Sequence, residues 1–396
     1  QGEYDHGDTL NFAGLTLAAV TKSGATKTIT NTTPGLAISE TQAEKAKESY
    51  EAVGNYLNNN IKQYDVRIFP QGSFMLGTVI KPISDKDEYD IDLVATIDNK
   101  FTSAKDLKNI VGDVLKTSDR YSEKVEEGKR CWTIQYSESA NYHMDILPTM
   151  KSDTYFQNKK LIMTHKEDEN SDYEFRQTNP EAYYDWFVKR MEEEKKKLTE
   201  EYAIRNKIEI VEVPEYKIKT TLQIAIEILK RYRDIKFKDT PDIKPISIIL
   251  TTLMAKIYTG KENVYELIEK FSKDYVLYLE KDENGNILIQ NPVNENENFA
   301  DKWPSNPERK EAFFKFMDEL RYDLVTNKVL LEGNLREQAD TYKKLFGENM
   351  VNKVYESMAK STREEREKSN VYLKENGNLT TEKTNITVRK HNFYGK

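Results

Sequence analysis

Apolar residues recur along this chain in two different rhythms. Ala43, Ala46, Tyr50, Val53 and Leu57 repeat at three- and four-residue steps and predict a helix. Ser39 offers its N-cap with Gln42 three residues on, and the polar residues 58–60 mark its end. The rhythm then shortens. Residues 66–69, 79–80, 91–95, 131–134 and 143–147 read as strands, with a helix over 104–118 between them. From about residue 180 the helical period returns. Asn179–Pro180 opens a helix carrying Tyr183, Trp186, Phe187 and Met191. Leu222, Ile224, Ala225, Ile228 and Leu229 form a strong helix face, and 246–258, 264–271, 311–324 and 335–346 are further helices. Residues 1–38 show no lasting period and read as a loosely packed arm; the polar residues 359–396 read as an extended tail.

This pattern predicts an α+β chain. Residues 39–178 would form a mixed lobe of sheet and helices, and residues 179–358 a mostly helical lobe with a cleft between the two. Length agrees, since 396 residues suit two lobes. The chain is polar, but 24 Tyr, 15 Phe and 3 Trp are too many for a mainly disordered one. Sixty Lys and Arg against 67 Asp and Glu leave a net charge of -7, which argues against a dedicated duplex nucleic-acid binder. Cys131 is the one cysteine, so neither a disulfide framework nor a Cys-based zinc site is available. The longest apolar run is too short for a bilayer, and no basic-then-apolar leader is present. A cytoplasmic protein without a membrane partner is the expectation.

Three elements carry candidate chemistry. The first is Gln71–Gly72–Ser73–Phe74 after a strand, where a glycine lets the backbone approach a ligand and the Ser73 hydroxyl adds a donor. The second is Asp90–Ile91–Asp92. Alternate residues of a strand share a face, so the two carboxylates point one way while Ile91 and Leu93 point into the core. Carboxylates that close repel when ionised unless cations neutralise them, and hard oxygen ligands suit Mg²⁺ or Mn²⁺. The third is Asp145, between the core-facing Met144 and Ile146 and on the face of His143. From a neighbouring strand it can join the first two. Three acids holding two divalent ions suit in-line phosphoryl transfer, with Asp145 the candidate acceptor of the attacking hydroxyl's proton. His143 is either an outer partner of that site or a structural histidine.

A Gly–Ser turn, an acid-x-acid strand and a lone acid on a later strand resemble the DNA polymerase β-like nucleotidyltransferases. The stretches 71–82, 88–94 and 143–148 are similar to the branch related to cyclic GMP-AMP synthase and oligoadenylate synthase, the bacterial CD-NTases of CBASS antiphage defence. Asn179–Pro180, residues 222–234 and 244–249, and residues 291–303 resemble that branch's helical lobe.

The resemblance implies that Asp90, Asp92 and Asp145 bind two Mg²⁺ or Mn²⁺ ions and carry catalysis. Gly72, Ser73, Lys230 and Ser247 would contact nucleotide. The implied reaction makes a cyclic di- or trinucleotide second messenger from nucleoside triphosphates, ATP with GTP or a pyrimidine, and releases pyrophosphate. A regulatory protein partner is implied too. Covalent attachment through the C-terminus is a further family property, although the last residue here is Lys396 rather than glycine. Read from the residues, Lys230 sits in a basic cluster that serves either phosphate or a solvated helix end. Asn298 serves a base or a loop. Tyr183, Tyr184 and Trp186 read as core, and Tyr232 and Trp303 as candidates for stacking on a purine. Transfer to an RNA or protein acceptor, or a nucleotide sensor without turnover, are the competing functions.

Overall fold

The computed structural model describes residues 36–83, 89–136, 142–207, 209–212 and 218–367, together with short strands at 18–20, 26–28, 372–373, 379–380 and 386–387. The first lobe starts with helix α1 (Glu40–Asn60). Its capping box forms as expected: the Ser39 side chain accepts from the Gln42 N–H, and the Gln42 side chain accepts from the Ser39 N–H. Strand β1 (Val66–Pro70), a single helical turn (Gly72–Met75) and strand β2 (Tyr89–Ile97) follow. Helix α2 (Ala104–Lys116) leads to β3 (Val125–Glu127), β4 (Trp132–Gln135), β5 (Tyr142–Lys151), β6 (Leu161–His165) and β7 (Glu174–Thr178).

These seven strands make one mixed sheet in the order β1-β2-β5-β4-β3. Strand β6 continues beside the far half of β5 and carries β7 outside it. Only β2 and β5 run parallel. Ile91, Leu93, Ala95 and Ile97 alternate onto one face of β2, where they bury against Ala46, Val53 and Leu57 of α1 and Leu107, Val111 and Leu115 of α2. The opposite face of β2 carries Asp90 and Asp92 at one end. At its other end Val94 packs with Phe69 and Leu161, and Thr96 bonds Thr149. One face of the sheet is thus closed by helices, and the other is closed over only half its length.

The second lobe is helical: α3 (Pro180–Asn206), α4 (Thr221–Lys236), α5 (Ser247–Ile257), α6 (Val264–Asp274), α7 (Pro307–Leu324), α8 (Leu335–Phe346) and α9 (Glu348–Glu367). Helix α4 lies at its centre with Leu222, Ala225, Ile226, Ile228, Leu229 and Tyr232 fully buried. Leu36, Leu76 and Ile80 from the first lobe join this same core.

Several expectations need correction. Residues 79–80 form no strand; Ile80 makes a single bridge to Ala37 while Leu76 and Ile80 serve the helical core. Tyr232 and Trp303 are not stacking platforms: both are buried, Tyr232 donating to Asp323 and Trp303 packing on Phe313. The expected tail from residue 359 begins inside α9, which runs to Glu367 and buries Met350, Val351 and Val354. Among the described residues no helix is long and apolar enough to cross a membrane.

Candidate active site

The pairing of β2 with β5 sets the site. Asp92 stands beside Asp145 in the register, and Asp90 beside His143. All four side chains share the sheet face that the helices leave open. Strand β4 flanks β5 on the other side and places Thr133 beside Asp145. The Thr133 hydroxyl donates to Asp145 Oδ1 at 2.5 Å. Thr133 was not among the expected site residues, yet it alternates with the buried Trp132 and Ile134, and the antiparallel register puts it on the carboxylate face.

The Gly72 turn closes over Asp92. The Gln71 N–H donates to the Asp92 carbonyl at 2.8 Å. Gly72 adopts φ +60, and a Cβ there would lie 2.2 Å from Asp92 Oδ2. Any side chain at 72 would be strained and would collide with the carboxylate. Ser73 follows in the same turn, and its carbonyl accepts from the Thr78 N–H at 2.9 Å.

Charge is concentrated here. Burial, then the neighbouring Asp90 and Asp145 carboxylates, push the Asp92 carboxyl up to about 7, against the opposing pull of Lys230 and His143. Asp90 lies at the open rim with its side chain 62% exposed, and its Oδ1 is 3.1 Å from His143 Nε2. Among the described residues no three acid, His or Cys side chains converge closely enough to hold an ion as they stand. The donor set nevertheless fits a hard divalent cation: Asp92 and Asp145 are held side by side, and Asp90 lies on the same face at the rim.

Lys230 of α4 is buried rather than solvated, and its Nζ donates to the Thr78 carbonyl at 2.9 Å. Burial, then Arg233, lower its amine to about 8, while Asp234, Glu227 and Asp90 work the other way. It thus stands within electrostatic reach of both Asp90 and Asp92. Ser247 opens α5, and its hydroxyl accepts from Arg233 Nη1 at 2.6 Å. Its partner is thus an arginine that also bonds Asp234 and the Pro245 carbonyl, and not one of the three carboxylates. Asn298 serves its loop, its Oδ1 accepting from the Ile289 and Ala300 N–H groups.

A mixed sheet with a glycine-serine turn packed on an acid-x-acid strand, and a third acid in register, is the arrangement that the sequence's resemblance to polymerase β-like nucleotidyltransferases implies. Comparison with known proteins narrows this. Residues 25–190 match the Second Messenger Oligonucleotide or Dinucleotide Synthetase domain. The chain is 29% identical over 337 residues to the c-di-GMP synthase of Roseivirga ehrenbergii, covering 83% of this chain and 86% of that one. It is 22% identical over 293 residues to the cyclic dinucleotide synthase CdnG of Bradyrhizobium diazoefficiens, covering 70% and 69%. The structure of that organism's CD-NTase CdnG in complex with GTP shares the fold at a TM-score of 0.65 and 20% identity, covering 82% of this chain and 95% of that one. The chain is thus similar to cyclic dinucleotide synthases, carries a match to the synthetase domain over residues 25–190 and shares the CD-NTase fold.

The raised Asp92 carboxyl fixes the sign of a stability effect. An unfolded aspartate titrates near ~3.9, so between that value and about 7 the folded chain holds a proton the unfolded chain has lost. The stabilising contribution is complete below the lower value and is lost as pH climbs through the upper one. Asp92→Asn is therefore expected to raise the melting temperature at pH 8 without divalent ions by several degrees, and to leave it nearly unchanged at pH 4. Thermal unfolding of both proteins at the two pH values checks this. A lower melting temperature for the variant at pH 8 contradicts the assignment.

Proposed function

We propose that the chain joins two nucleoside triphosphates, at least one of them GTP, into a cyclic dinucleotide, with Asp90, Asp92 and Asp145 as the catalytic carboxylates. The product class is supported by the matched synthetase domain over residues 25–190. The choice of GTP and of a two-membered ring is supported by the two relatives, named as c-di-GMP and cyclic dinucleotide synthases. The single observation that carries the site is the pairing of Asp92 with Asp145, which brings together acids 53 positions apart in the chain.

In each half-reaction a ribose hydroxyl of one nucleotide attacks the α-phosphorus of the other. A phosphorus–oxygen bond forms, the bond to the bridging oxygen of the β-phosphate breaks, and pyrophosphate leaves. The hydroxyl proton passes to the Asp145 carboxylate, which Thr133 holds through Oδ1. Gly72 and Ser73 receive the triphosphate at the turn, and Lys230 opposes its charge from the second lobe. Ser247 and Arg233 stand behind Lys230 as a further polar layer for phosphate. Asp90, Asp92 and Asp145 would hold a pair of Mg²⁺ or Mn²⁺ ions, which when bound neutralise charge at the α-phosphate and on the leaving group. The biological output is a second messenger of the antiphage kind that CD-NTases supply.

Purified protein incubated with labelled GTP, ATP and Mg²⁺ in the absence of nucleic acid should yield a phosphatase-resistant product whose mass is that of a cyclic dinucleotide. The double variant Asp90→Asn with Asp92→Asn should yield none while remaining folded. Label retained on RNA or on the protein would overturn the reading.

Mg²⁺ should also raise the melting temperature of the wild-type chain at pH 8 more than that of Asp92→Asn. An equal rise in both places the ion elsewhere.

Thr133→Val removes the hydroxyl donor at nearly constant volume. It should lower kcat by about 10–100-fold, the usual cost of losing a partner that orients a metal-site carboxylate. Thr133→Ser should retain most activity. Steady-state kinetics with GTP decides, and a fully active valine variant would show that Asp145 needs no such support.

A further inference from the structure

The segment joining the Gly72 turn to the acidic strand belongs chemically to the second lobe. Three consecutive carbonyls of this segment each accept a hydrogen bond from a side chain on or just before α4. Gln223 Nε2 donates to the Leu76 carbonyl at 2.9 Å, Lys219 Nζ to the Gly77 carbonyl at 2.9 Å, and Lys230 Nζ to the Thr78 carbonyl at 2.9 Å. Arg231 Nη2 continues the series at the Lys81 carbonyl, 2.6 Å away. These are interactions with backbone, so they fix the path of the chain itself.

Two of the gripped peptide groups reach on to the triphosphate turn. The Leu76–Gly77 peptide accepts from Gln223 through its carbonyl and donates its N–H to the Phe74 carbonyl at 3.3 Å. The Gly77–Thr78 peptide accepts from Lys219 and donates its N–H to the Ser73 carbonyl at 2.9 Å. Each is a continuous donor–acceptor line from α4, through one peptide plane, to the turn that covers Asp92. Chains of this kind polarise one another. Gly77 is held at φ +66, and a Cβ there would stand 2.7 Å from Gln223 Nε2, so the approach depends on the absence of a side chain.

The donors are themselves braced. Gln223 Oε1 accepts from the Thr220 N–H at 3.0 Å and closes the capping box of α4, leaving Nε2 for Leu76. Lys219 is paired with Glu227, whose side chain is wholly buried.

We infer that Gln223 and Lys219 are positioning residues for the reaction, holding the Gly72–Ser73 turn over the catalytic carboxylates from the second lobe. The inference rests on the proposed role of that turn in receiving triphosphate. Neither residue touches the carboxylates, so their effect is transmitted through the peptide groups of 76–78.

Two variants separate positioning from folding. Gln223→Glu keeps an acceptor for the cap, since glutamate is the usual partner at that position of a capping box, and loses the donor to Leu76. Lys219→Met combined with Glu227→Leu removes a buried ion pair as a unit, which costs far less than breaking it, and loses the donor to Gly77. Both should remain folded by thermal unfolding. Both should lower kcat/KM for GTP roughly tenfold or more, as expected for a small displacement of a reacting group. Hydrogen exchange should rise over residues 72–78 and stay unchanged in α1 and α2. Exchange does not require turnover, so a wild-type chain that makes no cyclic product would count against the proposed function while leaving the clamp itself measurable. Either folded variant with kcat/KM within about twofold of wild type overturns the inference, whatever the exchange shows. If the double variant does not fold, Gln223→Glu decides alone.

Discussion

The crowding of Asp92 governs the architecture around it. A carboxylate beside a second one, near a third and under a backbone turn, opposes its own ionisation. Nothing in the packing of the sheet requires this. The odd-numbered residues of β2 supply the core, and a neutral side chain at 92 would fit the same strand. The cost is sustained by what surrounds it. Two α-helices close the other face of the sheet and fix the parallel pairing of β2 with β5. That pairing forces Asp92 and Asp145 to be neighbours whatever their charges. A site of this kind is unfavourable alone, and the pair of cations proposed for it would relieve that cost.

The two lobes do not divide the chain cleanly. The mixed lobe has its own core, yet Leu36, Leu76 and Ile80 leave it to pack among the helices. The segment 76–82 is thus anchored twice by the second lobe: by apolar insertion at 76 and 80, and by side-chain bonds to its carbonyls. Leu76, one turn beyond Gly72, also donates its N–H to the Gly72 carbonyl at 3.1 Å. Any movement of one lobe relative to the other is felt at the turn over Asp92.

The sequence was most legible where local pattern and tertiary role coincide. Alternation in 90–94 and 143–147 separated carboxylates from core residues because the sheet is buried on one face and open at the acidic end of the other. Ser39 and Gln42 announced their cap because capping is settled within four residues. Legibility failed where the partner is remote. Val79–Ile80 has strand composition, but Val79 packs into the core of the first lobe and Ile80 into that of the second, leaving only the single bridge to Ala37. The basic stretch at the end of α4 looks like a solvated terminus, yet Lys230, Arg231 and Arg233 are buried because carbonyls of 78, 81 and 245 wait for them. Tyr232 and Trp303 have the chemistry of a stacking surface and the surroundings of a core. Thr133 was missed because only the strand register reveals its neighbour.

Lys230 shows why those buried cations matter to the site. A lysine inside a protein is normally paired with a carboxylate that cancels most of its field. Here the amine donates to a carbonyl oxygen, which satisfies a donor without removing the charge. The same holds for Arg231, whose guanidinium donates to the Lys81 and Pro82 carbonyls. The positive charge of Lys230 is therefore felt at Asp92, where it helps that carboxyl to ionise. It also faces the place where a triphosphate must lie if the Gly72 turn receives it. In the proposed function one buried amine serves anions of two kinds, carboxylate and phosphate, because its hydrogen bond goes to a carbonyl and not to an acid. Replacing the carbonyl partner by an acid would stabilise the lysine and remove that field.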